Sequence, residues 1–255
     1  MAASLGWVRQ FHKPASADLP PLLICPHAGA GASSYRAFSK VLSDRFDVVI
    51  FQYPGRQDRA REAALTELPQ LAAGALAEFL VSEHHRGLPL TVFGHSMGAM
   101  VAFELVRAAE AEGVPVRLLG VSAAVSPGRA AELPPHPTED EQILDHLGKL
   151  EGTGADVLAS REVMRMALPV VKADYRAFDS YTCAPDIKVR AKIQVLGGVE
   201  DPFVTPRDLY GWANHSAQEL EVTIFDGGHF YLNEHTAGVA ELLAPSPRTA
   251  GVGAA

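Results

Sequence analysis

Between a β-prone run, Leu90–Phe93, and an Ala/Val/Leu-rich run, Ala99–Ala111, the chain reads Gly94-His95-Ser96-Met97-Gly98. Gly-x-Ser-x-Gly at a strand-to-helix junction is the form of a nucleophile elbow, which lifts a serine hydroxyl clear of its own backbone. A hydroxyl is a weak nucleophile until a base takes its proton and a carboxylate holds that base. With this elbow the partners follow in the chain order Ser, Asp or Glu, His. Of ten histidines, His229 alone follows a late strand in a Gly-rich turn, Gly227-Gly228-His229. Among carboxylates, Asp201 follows the apolar run Lys192–Leu196 and precedes Pro202, with Glu200 as its rival; Asp226 lies too near His229 to orient it. Attack on a carbonyl also needs donors for the developing oxyanion. The N–H of Met97, at a helix N-terminus, is one. The small-residue loop Pro26-His27-Ala28-Gly29-Ala30-Gly31-Ala32 has neither dinucleotide nor P-loop glycine spacing and reads instead as the strand-to-helix loop whose N–H supplies the second donor that this elbow requires, with Ala28 the candidate.

The remaining histidines read as structural. His95 points away from the nucleophile along the elbow, and His27 shapes the oxyanion loop. His84 and His85 are surface residues at a helix end, and His215 closes a surface helix. No metal-ligand spacing is present.

The elements that must position these residues follow from periodicity. Strands are expected at Trp7–His12 (an edge), Leu22–Cys25, Asp47–Gln52, Leu90–Phe93, Val116–Ser122, Lys192–Leu196 and Glu221–Phe225. Helices are expected at about Ser34–Ser43, Leu68–Glu83, Ala99–Ala111, Arg207–His215 and Asn233–Leu243. Strands alternating with helices predict an α/β fold with a mainly parallel central sheet and helices on both faces. The rhythm breaks at 127–181, where a Pro-rich run and the capping-box-like Thr138-Glu139-Asp140-Glu141 lead into helical pieces, an expected helical lid insertion. Residues 1–243 are expected to form a single domain with this lid, and 244–255 a disordered tail.

With 255 residues the chain can bury one sizeable core, and its net charge of −8 opposes binding to nucleic acid or anionic lipid. No membrane-spanning segment or leader is evident. Two distant cysteines, Cys25 and Cys183, suit a reducing compartment. A cytoplasmic, monomeric protein is the expectation.

Taken together, Pro26-His27-Ala28-Gly29, Tyr53-Pro54-Gly55-Arg56 with Arg59, Gly94-His95-Ser96-Met97-Gly98-Ala99, Gly197-Gly198 with Asp201-Pro202, and Gly228-His229-Phe230-Tyr231-Leu232 resemble the stand-alone type II thioesterases of polyketide and nonribosomal peptide synthetase systems. The motifs occur in the family's order over about Leu22–Leu243. The resemblance implies an α/β-hydrolase fold, no cofactor and no metal, and hydrolysis of acyl groups from the phosphopantetheine arm of acyl or peptidyl carrier proteins. It implies Ser96 as nucleophile, His229 as base, Asp201 as its partner, and Ala28 with Met97 as oxyanion donors. Ala30 departs from it, standing where a second glycine is common. A carboxylesterase or lipase with the same triad, and a non-catalytic binding protein, are the alternatives. Because carrier proteins are acidic, an acidic enzyme needs a local basic face. Arg161, Arg165, Lys172 and Arg176 fall at helical spacing and are candidates for docking, with Pro169 a possible kink.

Overall fold

Short apolar runs bounded by turn residues leave the chain little choice but to pair as strands. In the computed structural model seven of them form one sheet. The structure describes the backbone of residues 6–151 and 157–245 and the side chains of 6–150 and 165–245. The strands are β1 (Val8–Arg9), β2 (Pro21–Cys25), β3 (Asp47–Phe51), β4 (Leu90–His95), β5 (Val116–Ser122), β6 (Lys192–Gly198) and β7 (Glu221–Phe225). Their order across the sheet is β1-β3-β2-β4-β5-β6-β7, and all neighbours run parallel except β1, which pairs antiparallel with β3. The helices are α1 (Arg36–Leu42), α2 (Leu68–Leu80), α3 (Met97–Ala111), α4 (Asp140–Glu151), α5 (Val157–Asp179), α6 (Pro206–Leu209) and α7 (Thr236–Leu243).

Strand side chains alternate between the two faces, so each inner strand feeds two cores. Leu23 and Cys25 pack with α2 and α3, whereas Leu22 and Ile24 pack with Phe38 and Leu42 of α1 and Val239 and Leu243 of α7. A third cluster, Ile143, Leu144, Leu168, Val171 and Tyr175, joins α4 to α5. The described part of 127–181 holds α4, α5 and a 3-10 turn, with no strand.

The element types match the periodicity, and the differences lie at ends. The expected edge strand Trp7–His12 pairs only over Val8–Arg9, since only these residues face β3. Helix Leu68–Glu83 stops at Leu80. Ser34–Ser43, Arg207–His215 and Asn233–Leu243 each divide into a 3-10 turn and a shorter α-helix. Such ends tighten where backbone groups lack i→i−4 partners. The expected tail falls almost wholly on residues 246–255, outside the described residues.

Candidate active site

In-register pairing aligns the loops that leave the carboxyl ends of the strands. Cys25 of β2 faces Gly94 of β4, so the loop carrying Ala28 and the elbow carrying Ser96 depart side by side. Gly198 of β6 likewise faces Phe225 of β7, so the Asp201 and His229 loops leave together. Ligands in such sheets bind outside these strand ends.

The elbow is as tight as its two glycines suggest. A Cβ on Gly94 would lie 2.0 Å from the Gly98 carbonyl oxygen, and one on Gly98 would lie 2.1 Å from the carbonyl oxygen of Cys25. Strand and helix meet backbone to backbone. Ser96 between them takes φ 55° and ψ −127°, a strained conformation for an L-residue that costs on the order of 1–3 kcal/mol. Its N–H is tied to the Ser122 carbonyl at 2.8 Å. The half-buried Ser96 and the buried His229 line the same cavity.

His229 Nδ1 lies 2.7 Å from Asp201 Oδ2, with both side chains buried. The other oxygen, Oδ1, accepts the N–H groups of Phe203 at 2.9 Å and Val204 at 3.1 Å, which fixes the carboxylate from behind. Glu200, the rival in sequence, is exposed, as is Asp226. His229 Nε2 is buried with no hydrogen-bond partner among the described residues, Ser96 included. Catalytic hydrogen bonds are often long before substrate tightens them. The N–H groups of Ala28 and Met97 also have no partner among the described residues, while their neighbours are engaged: Gly29 N–H bonds Asp174 and Ala30 N–H bonds the His27 carbonyl. Ala30 sits buried without a positive φ, so its methyl group is accommodated where a glycine is not required.

Three histidines crowd this end of the sheet. His27 Nδ1 lies 2.8 Å from the Tyr35 hydroxyl, and burial pushes its pKa down to about 3, with His229 and Arg56 adding to the effect. His95, 0% exposed, has Nδ1 2.8 Å from Ser122 Oγ, which in turn lies 2.6 Å from the Tyr231 hydroxyl. Burial first, then the neighbouring His229 and His27, hold its pKa well below the ordinary histidine value. A histidine titrates at about 6.5 in an unfolded chain, so folding excludes a proton here. The stability this group contributes is complete above that pH. As pH falls below it the contribution is lost, by about 1.4 kcal/mol per pH unit, until the folded pKa is reached. His95→Gln is therefore expected to flatten the plot of unfolding free energy against pH below about 6.5, by up to one proton. Parallel plots for variant and parent would contradict this.

Two histidines differ from their sequence reading. His84 is buried, with Nδ1 3.1 Å from Asp47 Oδ2, because the early end of α2 folds the chain back over the start of β3. His215 is buried, accepting the Gly128 N–H at Nε2 and bonding the Ile187 carbonyl through Nδ1. It stitches the segment after β5 to the segment before β6.

Sequence reasoning missed Asp174. It lies on α5 with no motif around it, yet it is fully buried and bonds both Arg56 and Gly29. The docking candidates fare differently. Arg165 pairs with Glu141 at 2.7 Å and Lys172 with Asp140 at 2.5 Å, so acids of α4 offset half of the basic stripe. Arg176 is exposed, and the Arg161 side chain lies outside the described residues.

The cavity at Ser96 measures about 790 Å³. Its wall is mostly apolar, with Val125, Leu147, Val171, Phe178, Phe203 and Val204 among its residues, and α4 and α5 supply one side of it. Among the described residues no cluster of His, Cys, Asp or Glu could hold a metal ion, and no helix is long and apolar enough to cross a membrane.

Over 244 residues the chain is 40% identical to phenyloxazoline synthase MbtB of Mycobacterium tuberculosis, covering 95% of this chain but only 17% of that much longer protein. It is 34% identical to thioesterase PikA5 of Streptomyces venezuelae, over 89% of this chain and 80% of PikA5. In structure it matches the type II thioesterase BorB from the borrelidin biosynthetic cluster with a TM-score of 0.81 at 38% identity, covering 93% of this chain and 96% of BorB. The structural neighbours are thioesterases of the α/β-hydrolase fold. The model of the thioesterase domain matches residues 20–246, which span the elbow, both partner loops and the helices over the cavity, and the chain belongs to that family.

Proposed function

We propose that this protein hydrolyses acyl groups from the phosphopantetheine arm of acyl or peptidyl carrier proteins in polyketide or nonribosomal peptide biosynthesis, clearing misprimed or stalled units. The observation that carries the reading is the convergence of a strained serine, a buried His229–Asp201 pair and two free N–H groups at one apolar cavity, in a chain of the thioesterase family.

Ser96 Oγ attacks the thioester carbon while His229 Nε2 takes its proton, and Asp201 holds the imidazole and stabilises its cationic form. The N–H groups of Ala28 and Met97 receive the oxyanion. Collapse expels the carrier thiol, protonated by His229. A thiol with a pKa of about 8.5 leaves far more easily than an alcohol, so acylation is the less demanding half. Water activated by His229 then cleaves the acyl–Ser96 ester. That is the harder half, carried out in a cavity that α4 and α5 cover as a lid inserted in one domain. The protein acts as a cytoplasmic monomer, and the chemistry needs no cofactor.

The test is kcat/KM on an acyl carrier protein thioester against a free oxyester of the same acyl group. The expected ratio favours the carrier thioester by on the order of 100-fold, about 2.7 kcal/mol of transition-state binding. Equal or faster hydrolysis of the oxyester would instead make the protein a carboxylesterase.

A further inference from the structure

The loop proposed to donate to the oxyanion is held from outside itself. Gly29, next to Ala28, gives its N–H to Asp174 Oδ2 at 2.7 Å across 145 residues of sequence. Both oxygens of Asp174 lie 2.5 Å from Arg56 Nη2. Arg56 in turn passes the connection back. Its carbonyl accepts from Gln52 Nε2 at 2.8 Å, and Gln52 Oε1 accepts the N–H of Ala32 at 2.6 Å. The loop is thus clasped at Gly29 and at Ala32, and both clasps run through Arg56. Asp174 and the Arg56 side chain are almost wholly buried, so neither can exchange its partner for water.

Packing points the same way. Gly29 takes φ +75°, and a Cβ there would lie 2.6 Å from Val171 Cγ2, one turn before Asp174 on α5. The Ala28 methyl group packs against the cluster that includes Val171 and Tyr175. The backbone of the donor loop therefore rests on α5 by charge, close approach and apolar contact together.

We propose that Asp174 is a positioning residue of the oxyanion hole, holding the Ala28 N–H in line through Gly29 and making that alignment depend on the seating of α5. This rests on the reading of Ala28 as an oxyanion donor. A purely structural ion pair would lower stability without acting on one chemical step. A positioning residue acts on states that carry an oxyanion and spares those that do not.

Asp174→Asn separates the two. Its one amide oxygen can stand in for Oδ2 toward Gly29 and Arg56, but its NH₂ then replaces the acceptor Oδ1 and sets donor against donor at the buried Arg56, which pushes the two side chains apart and loosens the hold on Gly29. Steady-state rates on an acyl carrier protein thioester are compared with inhibition by two acyl analogues. One is a trifluoromethyl ketone, to whose carbonyl carbon Ser96 Oγ adds, its proton passing to His229 and the carbonyl π electrons to oxygen, so that the adduct carries an oxyanion. The other is a thioether of the same length, which fills the cavity with no carbonyl to attack. All are measured well below the variant's unfolding temperature. Expected are a fall in kcat on the order of 100-fold, a matching weakening of the ketone, and KM and the thioether within about two-fold of the parent. A folded variant with kcat and ketone inhibition within about three-fold of the parent overturns the proposal, as does equal weakening of ketone and thioether. If Asp174→Asn does not fold, Arg56→Lys, which keeps the charge but loses the fork, is judged by the same outcomes. A parent protein that hydrolyses no thioester refutes the reaction reading itself, a result distinct from any ratio between variant and parent.

Discussion

Ser96→Ala is expected to lower kcat by about 10⁶-fold while leaving the fold intact. The size follows from the unit in which Ser96 acts: with no Oγ there is no acyl intermediate, and His229 and the oxyanion donors have no covalent step to assist. The fold is spared because the tightness of the elbow comes from Gly94 and Gly98, not from the serine side chain. Alanine also meets the positive φ at position 96 no worse than serine does. Circular dichroism and the unfolding midpoint check the second half of the expectation. A folded variant retaining more than a few per cent of parent activity would remove Ser96 from the mechanism.

Asp201→Asn carries the second largest effect, a loss of about 10⁴-fold in kcat. Its direction can be read from the hydrogen bonds. Oδ1 accepts two backbone N–H groups, from Phe203 and Val204, so an asparagine must keep its oxygen there and turn its amide NH₂ toward His229. His229 Nδ1 must then accept, which moves the ring proton to Nε2, the atom that has to take the serine proton. Glu200→Gln serves as the control, since Glu200 is exposed and His229 Nδ1 is paired with Asp201 instead. A larger loss from the Glu200 change than from the Asp201 change would contradict this arrangement.

Much of the site was legible because it is local. The elbow announces itself in five residues, and its glycines are needed for reasons that spacing alone conveys. The chain order Ser, Asp, His leaves three histidines after Asp201, and the Gly-rich turn after a late strand selects His229 among them. Parallel pairing does the rest, since strands in register bring loops from distant parts of the sequence to one end of the sheet. What stayed hidden is what depends on where segments between strands come to rest. Asp174 looks like any acid on a mixed helix until α5 is laid over the donor loop. His84 and His215 look like surface residues until neighbouring segments cover them. The pairing of Arg165 and Lys172 stayed hidden for the related reason that helical spacing on α5 says nothing of the acids that α4 brings alongside. Ends of elements were blurred because 3-10 turns and α-helix share their apolar spacing over a few residues.

The most direct test of a serine acyl-enzyme is to see it. Mixing the protein with excess acyl carrier protein thioester, quenching in acid on the millisecond-to-second scale and weighing the intact protein should reveal a species heavier by one acyl group. It should form before steady state because deacylation is the slower half, and peptide fragmentation should place it on Ser96. Turnover with no such species at any time, or an acyl group found on another residue, would contradict the account.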